Sequence, residues 1–233
     1  MKAINMKKLL LAAIASAAVM GGDASAALLI TEVDPAGSGQ SAYAADWFEL
    51  TNSGTSAVDI TGWKMDDNSN SFANAVGLRG VTSIAAGQSV VFIEGNASGS
   101  TDATIDANFI TAWFGSNAPA GLTIGNYGGS GVGLSQTADA VNIFDGSGTL
   151  MTRVDFGADS GSPIATFDNA AGLDNVTLTQ KSVVGVNGAF LSASGLEIGS
   201  PGTVAAVPEP GSYALLLAGF AIIGFRSRRK SAV

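Results

Sequence analysis

The sequence has no cysteine and no histidine among its 233 residues. Without cysteine, the chain can form neither a disulfide nor a thiolate site for metal binding or redox chemistry. Without histidine, it lacks the usual general base near neutral pH, the commonest imidazole metal ligand and every site in which histidine activates a serine or a cysteine. These absences exclude most hydrolase chemistry and leave packing and hydrogen bonds to stabilise the fold.

Charged residues are also scarce, at 13% of the chain, and they are distributed unevenly. Between Ala27 and Val207 there are four basic residues against seventeen acidic residues, a net charge of −13. The other seven basic residues lie near the two chain ends, and they are Lys2, Lys7, Lys8, Arg226, Arg228, Arg229 and Lys230. A body this acidic repels phosphate backbones, so we expect no binding of nucleic acid.

The body of the chain consists of short apolar stretches separated by Gly, Asn and Asp residues, without a clear helical period. This pattern predicts strands joined by tight turns. The predicted strands are residues 28–33, 46–51, 58–65, 89–94, 140–144, 150–156 and 176–179. Such a succession predicts an all-β fold, an antiparallel β-sandwich. Its expected core contains Ile30, Phe48, Leu50, Ile60, Trp63, Val91, Ile93, Ile143, Val154 and Phe156.

The first 26 residues have the three parts of a secretory signal peptide. A basic start precedes an apolar run, and Ala24 and Ala26 have the small-x-small spacing of a cleavage site. A signal peptidase would cut after Ala26, so the mature chain would begin at Ala27. The pattern predicts an N-terminal signal helix and export through the inner membrane.

The chain ends on a short apolar run followed by basic residues. The run from Tyr213 to Phe225 has thirteen residues. As a helix it would span roughly 20 Å of a hydrocarbon core about 30 Å thick. Membrane thinning and snorkelling would let residues 211–225 act as a short transmembrane helix. The basic tail, residues 226–230, would stop transfer on the cytoplasmic side through Arg226, Arg228, Arg229 and Lys230.

Pro208, Glu209 and Pro210 precede this apolar run. A Pro-Glu-Pro motif, an apolar helix and a terminal basic cluster, in that order, resemble the PEP-CTERM sorting signal, which would occupy residues 204–233. The resemblance implies recognition by an exosortase, a membrane transpeptidase-like enzyme of Gram-negative bacteria that make exopolysaccharide. The alternative is an ordinary single-pass anchor on a Pro-rich stalk, which would keep the protein in the membrane permanently.

Five segments of the body, in a fixed order, form a second recognisable sequence pattern. They are ITEVDP (30–35), DWFELTNSGTSAVDITGWKMDD (46–67), IAAGQSVVFIEG (84–95), LSQTADAVNIFDGSGTLMTRVDFG (134–157) and GSPG (199–202). This succession resembles the lamin tail domain, above all in the block Trp47, Glu49, Leu50, Asn52 and Gly62-Trp63. The resemblance implies an immunoglobulin-like β-sandwich over residues 27–203, without known catalytic activity. Residues 98–133 depart from the compact form of the domain because they are longer and richer in glycine.

Glu32 and Glu49 are the residues that come nearest to a catalytic pair, since they lie on adjacent predicted strands. Glycoside hydrolysis needs two carboxyl groups roughly 5 to 9 Å apart. No aromatic sugar platform and no second acidic cluster accompany them in the sequence, so we favour hydrogen bonding to neighbouring turns. We therefore assign no catalytic residue and no cofactor-binding residue, and expect the protein not to be an enzyme.

The run Asp66-Asp67-Asn68 offers several oxygen ligands in a loop that follows a predicted strand. Calcium tolerates irregular loops of oxygen donors, so it is the one cofactor that this run could bind. The run has neither the spacing of an EF-hand nor a Gly/Asp nonapeptide repeat, and a solvated turn is the favoured interpretation.

Trp113 and Phe114 lie in the long Gly-rich segment, residues 98–133. An exposed aromatic pair in a loop is typical of a surface that contacts a ligand or a partner. Full burial of both rings would contradict this hypothesis.

Together these features predict an exported, non-catalytic β-sandwich with a structural, adhesive or binding role at the cell surface or in the extracellular matrix. Exopolysaccharide and surface proteins are the expected partners there. A single-pass surface protein is one alternative, and only the fate of residues 208–233 separates it from the first. The second alternative is a carboxylate- or calcium-dependent hydrolase of matrix polymers, which requires a cleft with convergent carboxylates.

Overall fold

The computed structural model describes residues 28–203, which form fifteen short strands and two helices. The helices are α1 (Gly37–Gln40) and α2 (Asp102–Phe114). The strands are β1 (Leu28–Asp34), β2 (Trp47–Asn52), β3 (Val58–Asp59), β4 (Lys64–Asp66), β5 (Val76–Gly77), β6 (Ser83–Ile84), β7 (Ser89–Gly95), β8 (Ile124–Gly128), β9 (Asp139–Phe144), β10 (Leu150–Phe156), β11 (Ile164–Ala165), β12 (Phe167–Asp168), β13 (Val176–Leu178), β14 (Phe190–Leu191) and β15 (Glu197–Gly199).

Two five-stranded sheets form the sandwich. The first has the order β12-β1-β2-β7-β8, and the second has the order β13-β10-β9-β4-β5. Most neighbouring strands are antiparallel, but β8 pairs with β7, and β13 with β10, in parallel. Two smaller sheets, β11-β15-β14 and β3-β6, complete the fold, and β11 is also parallel to β15. The predicted sandwich is therefore present, but it is mixed and not purely antiparallel.

The main core lies between the two large sheets. Strand β2 shows why, since alternate residues of a strand point to opposite faces and Phe48 and Leu50 both point inward. Eight of the ten predicted core residues belong to this cluster, which confirms them as core: Ile30, Phe48, Leu50, Ile60, Trp63, Ile143, Val154 and Phe156.

A second apolar cluster lies on the outer face of the first sheet. Val91 and Ile93 belong to it together with Trp47, so their predicted place between the two sheets is wrong. Helix α2 covers them, and its buried residues are Phe109, Ala112 and Trp113. The first sheet is consequently buried on both faces, which explains why all six residues of β2 are buried.

Helix α2 corrects the expectation that the body contains no helix. Its three buried side chains have the spacing i, i+3 and i+4 of a helical face. The stripe is only one turn long, and Thr, Asp and Asn together occupy five of the thirteen helix positions, so its period is too brief to stand out from the sequence. Within residues 28–203, neither this helix nor α1 has the length and apolar content needed to cross a bilayer.

The helix contradicts the predicted exposure for Trp113, whereas Phe114 is only partly buried. Trp113 is 1% exposed, and its ring centroid lies 5.8 Å from that of Trp47 and 5.7 Å from that of Phe190. Phe114 packs on Phe190 as a partly buried neighbour of the same cluster. The pair is therefore part of the packing between the helix and the sheet.

Trp113→Ala should destabilise the domain by about 3–5 kcal/mol, because it removes the ring that joins helix α2 to the first sheet. Urea unfolding monitored by far-UV circular dichroism measures the change. Met151, which is 42% exposed, provides the control, and Met151→Ala should change stability little. Equal effects of the two substitutions would contradict the described packing.

Candidate functional site

Burial of acidic side chains is the main unusual feature of the described residues. Nine of the seventeen acidic residues of the body are buried, so the surface is less acidic than the composition suggests. Burying a carboxylate is costly unless hydrogen bonds or a cation compensate it. These nine are Glu32, Asp34, Asp46, Glu49, Asp66, Asp139, Asp159, Asp168 and Glu197.

Glu32 and Glu49 face each other across strands β1 and β2, as direct cross-strand partners. A register shift between Ile30 and Glu32 interrupts the alternation of β1 at this point. Glu32 is 1% exposed and Glu49 is 2% exposed. The Thr31 hydroxyl donates a 2.7 Å hydrogen bond to Glu49 Oε1 and lies 2.8 Å from the Thr51 hydroxyl.

The other oxygens of this pair hold the end of the domain, residues 199–202, which we call the closing segment. The Ser200 amide donates to Glu32 Oε1 at 2.8 Å and the Ser200 hydroxyl to Glu32 Oε2 at 3.0 Å. The Gly202 amide donates to Glu49 Oε2 at 2.7 Å. Glu32 and Glu49 therefore form a carboxylate clamp, in which two strands from the start of the domain hold its last residues.

The closing segment approaches the clamp so closely that a side chain at Gly199 would not fit. A Cβ atom placed there would lie 2.5 Å from Glu32 Oε1 and 2.9 Å from the Trp113 ring. The absence of a side chain lets the backbone reach both the carboxylate and the helix.

Burial changes the acidity of both clamp residues. Desolvation, followed by repulsion from Glu49, raises the pKa of Glu32 to about 8, although hydrogen bonds from Thr166 and Ser200 oppose this. Desolvation also raises the pKa of Glu49 to about 7, against hydrogen bonds from residues that include Thr31 and Gly202. The clamp thus holds protons at a pH where ordinary glutamates are ionised.

A second buried carboxyl pair, Asp34 and Glu197, joins the end of β1 to β15. Desolvation, followed by repulsion from Glu197, raises the pKa of Asp34 well above its usual range, and desolvation raises the pKa of Glu197. The remaining oxygens, Asp34 Oδ2 and Glu197 Oε2, are buried without a hydrogen-bond partner among the described residues. The Tyr43 hydroxyl donates to Glu197 Oε1 and accepts from the indole nitrogens of Trp47 at 3.0 Å and Trp113 at 3.2 Å.

The space beside the clamp decides what chemistry it can perform. A cavity of about 10 Å³ adjoins Glu49, with Thr31, Thr51 and Ser200 among its lining residues. That volume holds about one water molecule, far less than a sugar ring. Because the carboxylate oxygens also bind the closing segment, the geometry fits a structural clamp and not a glycosidase pair.

The calcium candidates form a hydrogen-bonded turn. Asp66 Oδ2 accepts from the Ser69 hydroxyl at 2.7 Å, and Asp67 Oδ1 accepts from the Ser69 amide at 2.9 Å. The Asn68 amide donates to Asp139 Oδ1 at 2.9 Å. Among residues 28–203, no three acidic side chains are grouped so that they could hold a metal ion. Calcium binding by this loop stays a prediction.

The sequence analysis singled out Glu32 and Glu49 but missed Asp34, Tyr43 and Glu197. A carboxylate two residues before the closing GSPG, as in Glu197-Ile198-Gly199, could have pointed to a buried partner. Nothing in the sequence indicates which of the distant acidic residues it meets. The remaining predicted functional residues lie outside the described range, and they are Ala24, Ala26, Ala27, Pro208, Glu209, Pro210, Arg226, Arg228, Arg229 and Lys230.

Comparison with family models gives two matches. The model of the Lamin Tail Domain matches residues 22–158, and that of the PEP-CTERM protein-sorting motif matches residues 206–230. Both resemblances expected from the sequence are thereby confirmed, and both models describe units of a non-catalytic kind. A search of curated proteins found no match to the chain.

The raised pKa values of the clamp predict that stability falls as the pH rises. The pKa of Glu32 is about 8 in the folded domain against 4.5 for an ordinary glutamate, so the folded state binds more protons between these values. Stability present at low pH is therefore lost as the pH approaches 8, by an amount on the order of 3 kcal/mol. Glu32→Gln should flatten this loss in urea unfolding measured from about pH 5 to about pH 8.

Asp59 provides the control for this titration, because its side chain is exposed and hydrogen bonds from Thr61 lower its pKa. Asp59→Asn should keep the wild-type slope over the same pH range. A wild-type stability that rises with pH would contradict the assigned protonation of the clamp.

Gly199→Ala should destabilise the domain by roughly 1–3 kcal/mol, because the added methyl group would displace the Glu32 carboxylate or the Trp113 ring. Thermal unfolding at about pH 6 measures the effect. Gly157 has open space at its Cβ position, so Gly157→Ala should have little effect. Equal melting temperatures for both variants would show that the closing segment does not lie against the clamp.

Proposed function

This chain belongs to the lamin tail domain family, and we propose that it is an exported, non-catalytic β-sandwich protein that an exosortase-type system sorts to the cell surface or the extracellular matrix. The family model covers more than half of the chain, and the sorting motif follows it. The observation that carries the proposal is the order of the terminal features. Pro208-Glu209-Pro210, an apolar run and the cluster ending at Lys230 stand directly after the folded domain.

The sorting motif implies processing by an exosortase and supports a surface or extracellular destination. Signal peptidase would first remove residues 1–26, and residues 211–225 would hold the chain in the inner membrane while the basic tail stops transfer. Cleavage near Pro208 would then release the domain. Both chain ends would therefore act as targeting signals that are removed from the mature protein.

The carboxylate clamp is compatible with cleavage of the C-terminal sorting signal. Glu32 and Glu49 bind Ser200 and Gly202, so the last described residues are fixed to the strands at the start of the domain. A cut near Pro208 would fall about five residues past this fixed end. Removal of the tail would then leave the fold intact.

A binding role is favoured over catalysis. The buried carboxyls of the clamp serve the closing segment, and no histidine or cysteine is available as a base or nucleophile. A groove of about 540 Å³ along β12 and β13 offers amide and hydroxyl groups, among them those of Thr177, Gln180 and Asn187. Such groups suit the hydroxyls of exopolysaccharide or the backbone of another surface protein.

Sequencing of both termini of the protein recovered from membranes, cell surface and medium of its host tests the proposal. We expect a released form that begins at Ala27 and ends close to Pro208. Replacing Pro208, Glu209 and Pro210 by alanine should leave nearly all of the protein in membranes with its tail attached. Ser212→Ala, a tail change outside the motif, provides the control and should be released normally.

Recovery of the wild-type protein only from membranes, with the chain intact through Lys230, would overturn release by sorting. That result would identify a permanently anchored single-pass surface protein. A release that is unaffected by the alanine replacements would point to cleavage by an unrelated protease.

A further inference from the structure

Lys181 buries the charged end of its side chain, which an ordinary surface lysine keeps in water. Its side chain is 30% exposed, yet the accessible area of its ammonium nitrogen is below 1 Å². Lysines at protein surfaces normally bury the aliphatic stem and keep the charged head in water. Here the stem is the exposed part, and the head points into the domain.

Two groups enclose the Lys181 nitrogen. It lies 3.2 Å from the centre of the Phe167 ring and 3.0 Å from Asp159 Oδ2. Asp159 is only 6% exposed, so both members of this ion pair have lost their water. Desolvating two charges in this way is expensive, and an ion pair alone often fails to compensate it.

The contact does not have the form of a hydrogen bond. At 3.0 Å the two atoms are close enough, but neither Lys181 Nζ nor Asp159 Oδ2 makes a hydrogen bond of acceptable angle. The other oxygen, Asp159 Oδ1, accepts from the Gly161 amide at 3.4 Å. The amine nitrogen therefore contacts one oxygen of a carboxyl group whose second oxygen accepts a hydrogen bond from the backbone.

We propose that Lys181 and Asp159 condense to an intramolecular amide, with a covalent bond between Lys181 Nζ and Asp159 Cγ. The buried ion pair of the described structure is the reactant of this step. Condensation replaces two buried charges by one neutral amide, which removes the cost of keeping them desolvated.

The atoms balance without any external reagent. A proton passes from the ammonium to Oδ2, giving a neutral amine and a carboxylic acid, and desolvation favours this by lowering the pKa of Lys181. The nitrogen lone pair then forms a bond to Cγ while the π electrons of the Cγ=Oδ1 bond move to Oδ1, and they re-form that bond when water leaves. A second proton moves from nitrogen to the Oδ2 hydroxyl, the Cγ–Oδ2 bond breaks, and water leaves. Oδ1 remains as the amide oxygen beside the Gly161 amide.

The amide would close a loop of the chain that begins after β10 and ends after β13. This loop contains β11, β12 and β13, and it lies beyond the part matched by the lamin tail domain model, residues 22–158. A covalent link here would give an exported protein without cysteine the kind of constraint that disulfides give other secreted domains.

Peptide mapping of the full chain tests the proposal directly. Chymotrypsin cuts after Phe and Leu, so the denatured protein should yield residues 157–167, which contain Asp159, and residues 179–190, which contain Lys181. We expect one species with the summed mass of both fragments less one water. Two separate fragments of unaltered mass from the wild-type protein would overturn the proposal.

Lys181→Arg keeps the positive charge but should yield the two fragments separately, with circular dichroism confirming that the variant folds. Lys64 provides the matched control, because its ammonium also lies over an aromatic ring, 4.5 Å from the centre of Phe72, without an ion pair among the described residues. Lys64→Arg should yield the joined species. Loss of water from Asp159 alone, by cyclisation onto its own backbone, would leave the fragments separate and would therefore also contradict the amide.

Discussion

The structure depends on carboxyl groups buried on the outer face of the first sheet. Glu32 and Glu49 lie side by side under the closing segment, where backbone amides and hydroxyls replace the water that each carboxylate loses. Removing either acid would leave the Ser200 or Gly202 amide without its partner. The position of the closing segment, and with it the end of the domain, follows from this one constraint.

The same constraint explains the layered packing. The outer face of the first sheet is apolar at Trp47, Val91 and Ile93, where helix α2 covers it, and acidic at Glu32 and Glu49, where the closing segment covers it. Tyr43 connects the two halves, because its hydroxyl contacts Glu197 on one side and the Trp47 and Trp113 indoles on the other. The domain therefore has few charges on its surface, because many of its acidic side chains are buried.

Period-2 patterns predicted the longer strands and most of the main core, because residues such as Phe48 and Leu50 alternate with the residues of the opposite face. The predicted strand 58–65 is instead two short strands, β3 and β4, in different sheets, and several two- and three-residue strands were not predicted. The outer layer could not be predicted in this way. Apolar residues such as Trp47 and Val91 suit a buried position on either face of the sheet, so the pattern does not indicate which face they occupy. The three-residue stripe of α2 is too short to reveal a helix. Glu32 and Glu49 were recognised as neighbours, but their partners in the closing segment lie more than 150 residues further along the chain, beyond the reach of any local pattern.

Hydrogen exchange of the Ser200 and Gly202 amides in the full chain is the most direct test of the clamp. Both amides donate to buried carboxyl oxygens, so at about pH 6 they should be protected as strongly as the amides of β1 and β2. They should also lose protection together with those strands as denaturant is added. Exchange of both amides at the rate of an unfolded chain, while β1 and β2 stay protected, would show that the carboxylates do not hold the end of the domain.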